Sequence, residues 1–237
     1  MTEWKKCPDF DLAPLKYFDP KTFNWETPDK DFKNLCAFIV TLALIYNDFK
    51  DLAWWQKQLD DCPPNPNEKS SYFGQHNGMK THISRLVVGL YDELLIFIKE
   101  NQRVLESKLF QEILGRISAR YRNDWKKLVN ESSNKEDLEI LAELRANGVF
   151  HYQMNGVFSG YKNYFIKPEN PLNEKAYYSF GENILKTRFY FADAAVQGYV
   201  KKFGDSRIEY LLAEINTSLK RIVEAGIECL SAKYLTA

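Results

Sequence analysis

The sequence predicts an all-α protein. Long stretches rich in Leu, Ile, Glu and Lys place apolar residues three and four positions apart, which is the spacing of one helix face. Gly and Pro are modest, at 11 and 9 of 237 residues. A share of 45% hydrophobic and 15% aromatic residues belongs to a globular chain rather than a disordered one. A chain of this length can bury a sizeable core. Residues 29–237 read as one bundle of five or six helices behind an N-terminal arm.

Residues 1–28 carry Pro8, Pro14, Pro20 and Pro28 among many aromatics. Proline fixes φ and lacks an N–H, so this spacing prevents a long helix. The expectation is an extended arm packing Phe10, Tyr17, Phe18, Phe23 and Trp25 onto the body. The first helix opens near Asp29 and runs through Phe32, Leu35, Phe38, Ile39, Leu42, Ile45 and Phe49 towards Leu59. The run DDCPPNPNEKSS then stops it. Its apolar centre, 35–46, is shorter than the ~20 residues of a membrane span. Lys33 and Asp48 flank it, so it reads as a buried core helix.

The second helix is strongest over 81–101, with a stripe of Ile83, Leu86, Val87, Leu90, Leu94, Phe97 and Ile98. The preceding YFGQHNGM holds two glycines and reads as a turn or a ragged first turn. A third helix is expected over 106–130. The fourth opens on Ser133 and Glu136, a capping box in which each side chain reaches the other's backbone amide, and ends near Tyr152. Residues 153–181 read as a long glycine- and aromatic-rich connection with a short extended piece around 177–180. Two further helices, 182–203 and 206–233, meet at Gly204-Asp205. No repeat or low-complexity linker marks a second domain.

The net charge is zero, 32 basic residues against 32 acidic. Overall charge therefore gives no argument for nucleic acid, and only a local basic patch can supply phosphate contacts. Cys7, Cys36, Cys62 and Cys229 form no CxxC pair and have no histidine at ligand spacing. They read as reduced thiols, with Cys36 and Cys229 on core faces. The segment MTEWKKCPDF lacks the apolar run of a signal peptide, so a cytoplasmic protein is expected. No HExxH, Walker-type loop, GxGxxG or GxSxG occurs, and no Glu-x-x-His of a di-iron bundle. His76 and His82 read as surface or cap residues rather than ligands. Neither a metal nor a cofactor is expected.

Chemistry concentrates in 138–152, LEILAELRANGVFHY. At ~100° per residue with Leu138 at zero, Leu141, Ala142 and Val149 cluster on one face. Glu136, Glu139 and Glu143 lie opposite. Arg145 falls at ~340°, inside the apolar arc, with Tyr152 beside it and His151 at ~220°, on the edge of the stripe. An unpaired guanidinium among leucines costs several kcal/mol, so Arg145 requires a carboxylate, a set of carbonyls or a wet cleft. In the structural alternative Arg145 pairs with an acid of another helix and His151 is a cation at the helix C-terminus. In the functional one, imidazole moves a proton while guanidinium stabilises phosphorane charge, which cleaves RNA by in-line attack of the 2′-hydroxyl without a metal. The two side chains lie ~120° apart, so a straight helix cannot bring both to one small group. A bend at Gly148 or a second subunit across a two-fold axis is required.

The stretch ELRANGVFHY resembles the Arg-x(4–6)-His signature of the HEPN superfamily, the nucleotide-binding domains of higher eukaryotes and prokaryotes. Ala146 stands where the commonest form has a polar residue, and Asn147 comes one position later. The resemblance implies a HEPN-like helical bundle, Arg145 and His151 as the active pair with Asn147 and Tyr152 as helpers, and a homodimer with the motifs facing one cleft. It implies a metal-independent endoribonuclease, of a defence or toxin–antitoxin type system, with RNA as substrate and an antitoxin or nucleotidyltransferase as partner. It equally implies the alternative of a non-catalytic dimerisation or partner-binding module, since some members are inactive scaffolds.

RNA binding needs a basic surface. In RISARYRNDWKK, Arg116, Arg120 and Lys127 share one side of the expected third helix at spacings of four and seven. Tyr121 and Trp125 lie on an adjacent face and could stack bases. The plainer alternative is a solvated charged face beside a buried aromatic pair. Lys162 and Lys167, among Tyr161, Tyr164 and Phe165, form a weaker basic patch.

Overall fold

The computed structural model describes residues 16–23, 30–65, 70–130, 139–141, 154–166 and 176–235. Among them the structure is helical, apart from one isolated antiparallel bridge between Ser179 and Arg188. No helix among these residues is long and apolar enough to cross a membrane.

Helix α1, Lys30–Asp60, is the spine of the core, packed between α2, Ser71–Glu100, and α9, Asn216–Leu235. The three- and four-residue spacing predicted its inner face, and Leu35, Phe38, Ile39, Leu42 and Phe49 are fully buried there. Each such side chain contributes about 1.5–3 kcal/mol relative to exposure. The α1 terminus is closed by α2. His76 Nε2 donates to the Leu59 carbonyl at 2.9 Å, and Tyr72 donates to the Cys62 carbonyl at 2.6 Å. His76 therefore caps α1, as one sequence alternative had it, but from a buried position rather than a surface one.

Helix α2 starts ten residues before the stretch that its apolar stripe marks. The Ser70 hydroxyl accepts from the Phe73 amide at 3.1 Å and caps it. The two glycines that suggested a turn are helical, and their function is close approach. A Cβ on Gly74 would sit 2.7 Å from the Tyr190 ring, and one on Gly78 would land on the Arg188–Asp193 pair. Gly74→Ala is therefore expected to destabilise the fold by ~1–3 kcal/mol through overpacking, despite alanine's better helix propensity. At Gly115 a Cβ meets open space. Gly115→Ala should stabilise by ~0.5–1 kcal/mol. Opposite signs in urea titration check this reading.

The expected single helix over 106–130 is two, α4, Lys108–Arg116, and α5, Ala119–Val129, behind a short α3, Gln102–Glu106. Ser107 makes the first break, donating to the Val104 carbonyl at 2.7 Å and accepting from the Phe110 amide at 3.3 Å. Ile117 and Ser118 are extended and make the second. The apolar period hid both breaks, because Phe110, Ile113, Trp125 and Leu128 all still reach the core.

Part of the expected connection at 153–181 is also helical. Helix α6, Met154–Tyr161, runs into a π-helical turn, Lys162–Ile166. Residues 176–189 contain the extended piece, with Ser179 and Arg188 exchanging backbone bonds at 2.9 Å. Helix α7 is Tyr190–Phe203, eight residues later than its expected start. Gly204 follows at φ 91°, where glycine is favoured, before α8, Asp205–Tyr210, and a π-helical segment, Leu211–Ile215, that leads into α9. Thr217 and Ser218 hydroxyls bond the Ala213 and Glu214 carbonyls of that segment at 2.6 and 3.1 Å. Helix α6 packs on α7 and α7 on α2, forming a side lobe. Its buried Phe165, Tyr190, Ala195 and Val196 lie outside the main core cluster.

Of the expected arm, Phe23 packs on the core and meets Phe18 edge-on at 5.5 Å. Tyr17 is exposed instead of packed. Phe10 and Trp25 lie outside the described residues, as do Cys7 and the Ser133–Glu136 capping box. Cys36 and Cys229 are free and buried as expected, and Cys62 is free and exposed. Burial pushes the Cys36 thiol up to about 11.

Candidate functional site

Arg145, Asn147, His151 and Tyr152 lie outside the described residues. The chain on either side of them is defined. Residues 139–141 are helical, with Leu141 buried in the main core and Ile140 packed against it. Met154, on the other side, opens α6 at the surface.

The three expected RNA-binding cations are described, and no single helix carries them. Arg116 ends α4, whereas Arg120 and Lys127 lie on α5 beyond the extended Ile117–Ser118 step. Each has a carboxylate. Arg116 bonds Glu112 at 3.0 Å, Arg120 reaches across to Glu214 at 2.5 Å, and Lys127 lies 3.8 Å from the buried Asp124. The Arg116 hydrogen bond, with Lys233 and Cys229 adding to it, holds the Glu112 carboxyl below its ordinary range. Trp125 cannot stack a base, because it is buried against Phe110 at 5.9 Å. Tyr121 is half-buried between the guanidinium groups of Arg120 and Arg221, at 5.9 and 5.8 Å. Sequence spacing did not reveal Arg221 as part of this cluster. Of the weaker patch, Lys162 sits 4.6 Å above the Phe158 ring, and Lys167 is outside the described residues.

Two polar features went unread in the sequence. Arg188 clamps Asp193 through two bonds, at 2.8 and 3.2 Å, and reaches Gln75 at 3.4 Å. This fixes the side lobe on α2. The glycine pair at a four-residue spacing, Gly74 and Gly78, was the available signal, since it opens a groove on one helix face. The second feature is a groove of about 270 Å³ between the end of α1, α2, α7 and α8, lined by Gln56, Asp60, Asn77, Lys80, Ser84 and Glu209 among others. Lys80 pairs with Asp60 there at 2.5 Å.

Beside the clamp, His82 lies at the surface as expected, yet partial desolvation by its neighbours lowers its pKa, followed by the charges of Arg85 and Arg188, with Asp193 opposing. A histidine whose pKa is lowered on folding binds its proton less readily in the native state than in the unfolded chain, which protonates near the ordinary value of ~6.5. Its contribution is present above that value and is lost as pH falls through it. The stability difference between wild type and His82→Gln should therefore shrink from pH 7.5 to pH 5 in denaturant titrations, and a constant difference would contradict this.

Among the described residues, no group of three His, Cys, Asp or Glu side chains is placed to hold a metal ion. The chain matches no protein-family model, no curated protein and no solved structure.

Proposed function

We propose that this chain is a HEPN-like, metal-independent endoribonuclease that acts as a homodimer, in a defence or toxin–antitoxin type setting. One sequence feature carries the reading: in the helix expected over 138–152 Arg145 falls within the apolar arc and His151 at its edge, and the resemblance adds Asn147 and Tyr152 as helpers. The all-helical architecture and the core-anchored approach at Leu141 are compatible with it. In this mechanism the 2′-oxygen attacks the adjacent phosphorus and its proton passes to His151. The bond from phosphorus to the 5′-oxygen breaks, and that oxygen takes up a proton. Arg145 neutralises the charge that develops on the phosphorane. Asn147 and Tyr152 position the phosphate.

A second reading, a non-catalytic dimerisation or partner-binding module, has its own observation. Arg116, Arg120 and Lys127, which RNA would need, are already close to Glu112, Glu214 and Asp124. Incubation with mixed RNAs in EDTA separates the two. The ribonuclease reading expects cleavage that both Arg145→Ala and His151→Ala abolish, and cleavage surviving both removes this site. No cleavage of any RNA, with both variants less dimeric, favours the module.

A further inference from the structure

The extended piece of the side lobe has two faces. Side chains alternate across a paired strand, so Ser179 and Arg188 share one face, while Tyr178, Phe180 and Phe189 share the other. The first face is packed on the body. The Ser179 hydroxyl bonds the Tyr190 hydroxyl at 2.6 Å, and Arg188 holds Asp193 and Gln75. The second face points away from the body. Tyr178 stacks on Phe189 at 6.1 Å, yet they remain 63% and 50% exposed, with Phe180 at 79% and Ile184, at the turn, at 86%. The ring contacts continue from Phe189 through Phe191 and Tyr161 to Phe158, which is 55% exposed.

A strand pair that meets water on one side ordinarily carries polar residues there. This one is aromatic on its outer side. At ~200 Å² per large side chain, the five outward residues expose on the order of 650 Å² of apolar surface. That is at or above the ~300–600 Å² of the largest patch on an ordinary monomer. A standard-size interface takes ~800 Å² per partner and an obligate homodimer takes more, of which ~65% is apolar, so this face is large enough for the apolar centre of a standard-size interface. Among the described residues its rim carries both signs: Lys162 lies over Phe158, while Glu182 and Lys186 are 4.0 Å apart and exposed. A rim with both signs complements itself across a two-fold axis. A phosphate backbone would instead need a clear excess of cations.

We propose that the outward aromatic face of the side lobe, Tyr178, Phe180, Ile184, Phe189 and Phe158, docks a second copy of this chain. For the active pair, and resting on the ribonuclease reading, such a dimer supplies the second subunit that is one of the two ways, beside a bend at Gly148, round the ~120° offset between Arg145 and His151.

The test is the solution mass of the full chain, by light scattering and sedimentation, for wild type, Phe180→Asp and Ile184→Glu. Wild type should run at twice its 27.8 kDa chain mass. Each variant, with helix content unchanged, should weaken the dimer by about 30–100-fold, as loss of an interface hot spot does. A monomeric wild type, or a dimer that neither variant weakens, overturns the proposal. So does a fluorescent single-stranded RNA whose binding the variants abolish while the mass stays the same, because the face then binds nucleic acid. A wild-type dimer that both variants dissociate but that cleaves no RNA supports the docking and removes the ribonuclease reading alone.

Discussion

Phe110→Ala is expected to lower the unfolding free energy by about 3–5 kcal/mol, the range for deleting a fully buried aromatic. Phe110 joins three helices. Its ring meets Phe38 of α1 edge-on at 5.5 Å and Trp125 of α5 at 5.9 Å, from its own place on α4. Truncation leaves a cavity where the Phe38–Phe97 stack, at 4.9 Å, meets the α4–α5 break. Extended Ile117 and Ser118 allow two short helices to reach the core together, so the site cannot close by sliding one continuous helix. For a chain of this size the melting temperature should fall by roughly 10 °C. Thermal unfolding followed by circular dichroism measures it. A shift within a degree or two would show that the joint between α1, α4 and α5 is not what holds this end of the bundle.

His151→Ala is expected to lower the rate of RNA cleavage by ~10²–10⁴-fold, the contribution of a positioned acid or base. Arg145→Ala should cost ~10²–10³-fold, by loss of a donor aimed at the developing charge. Arg145→Lys should fall between Arg145→Ala and wild type, since lysine keeps the charge but not the planar fork that grips two phosphate oxygens. Single-turnover rates, with circular dichroism beside them, separate this from unfolding. Equal rates for Arg145→Lys and Arg145→Ala would mean that charge at this position is irrelevant to the chemistry.

The helical class, the extent of α1 and the buried faces of α1 and α2 were legible because burial imposes a period of three and four residues on the chain. Interruptions inside that period were not. Ser107 and the Ile117–Ser118 step break the backbone while leaving Phe110 and Trp125 on the core side, so the apolar pattern continues across each gap. The start of α2 was missed for the opposite reason. Gly74 and Gly78 weaken helix propensity locally, and only the Tyr190 ring and the Arg188–Asp193 pair packed against them explain their presence. The basic strip is split between two helices. Helical spacing placed Arg116 with Arg120 and Lys127, but it could not show that Glu112, Glu214 and Asp124 lie beside them. Glu214 is ninety-four residues from Arg120, and no local pattern encodes that contact. The Arg145–His151 segment remains a reading of sequence alone, since its residues lie outside those described.

The most direct test of the proposed chemistry is a pair of substrates in EDTA: one all-RNA oligonucleotide, and the same oligonucleotide with 2′-deoxy sugars at its cleaved positions. In-line attack by the 2′-oxygen predicts that wild type cuts the first to 2′,3′-cyclic phosphate and 5′-hydroxyl ends and leaves the second whole, while His151→Ala cuts neither. Cleavage of the deoxy substrate at the same positions, or undiminished cleavage by His151→Ala, would contradict the account.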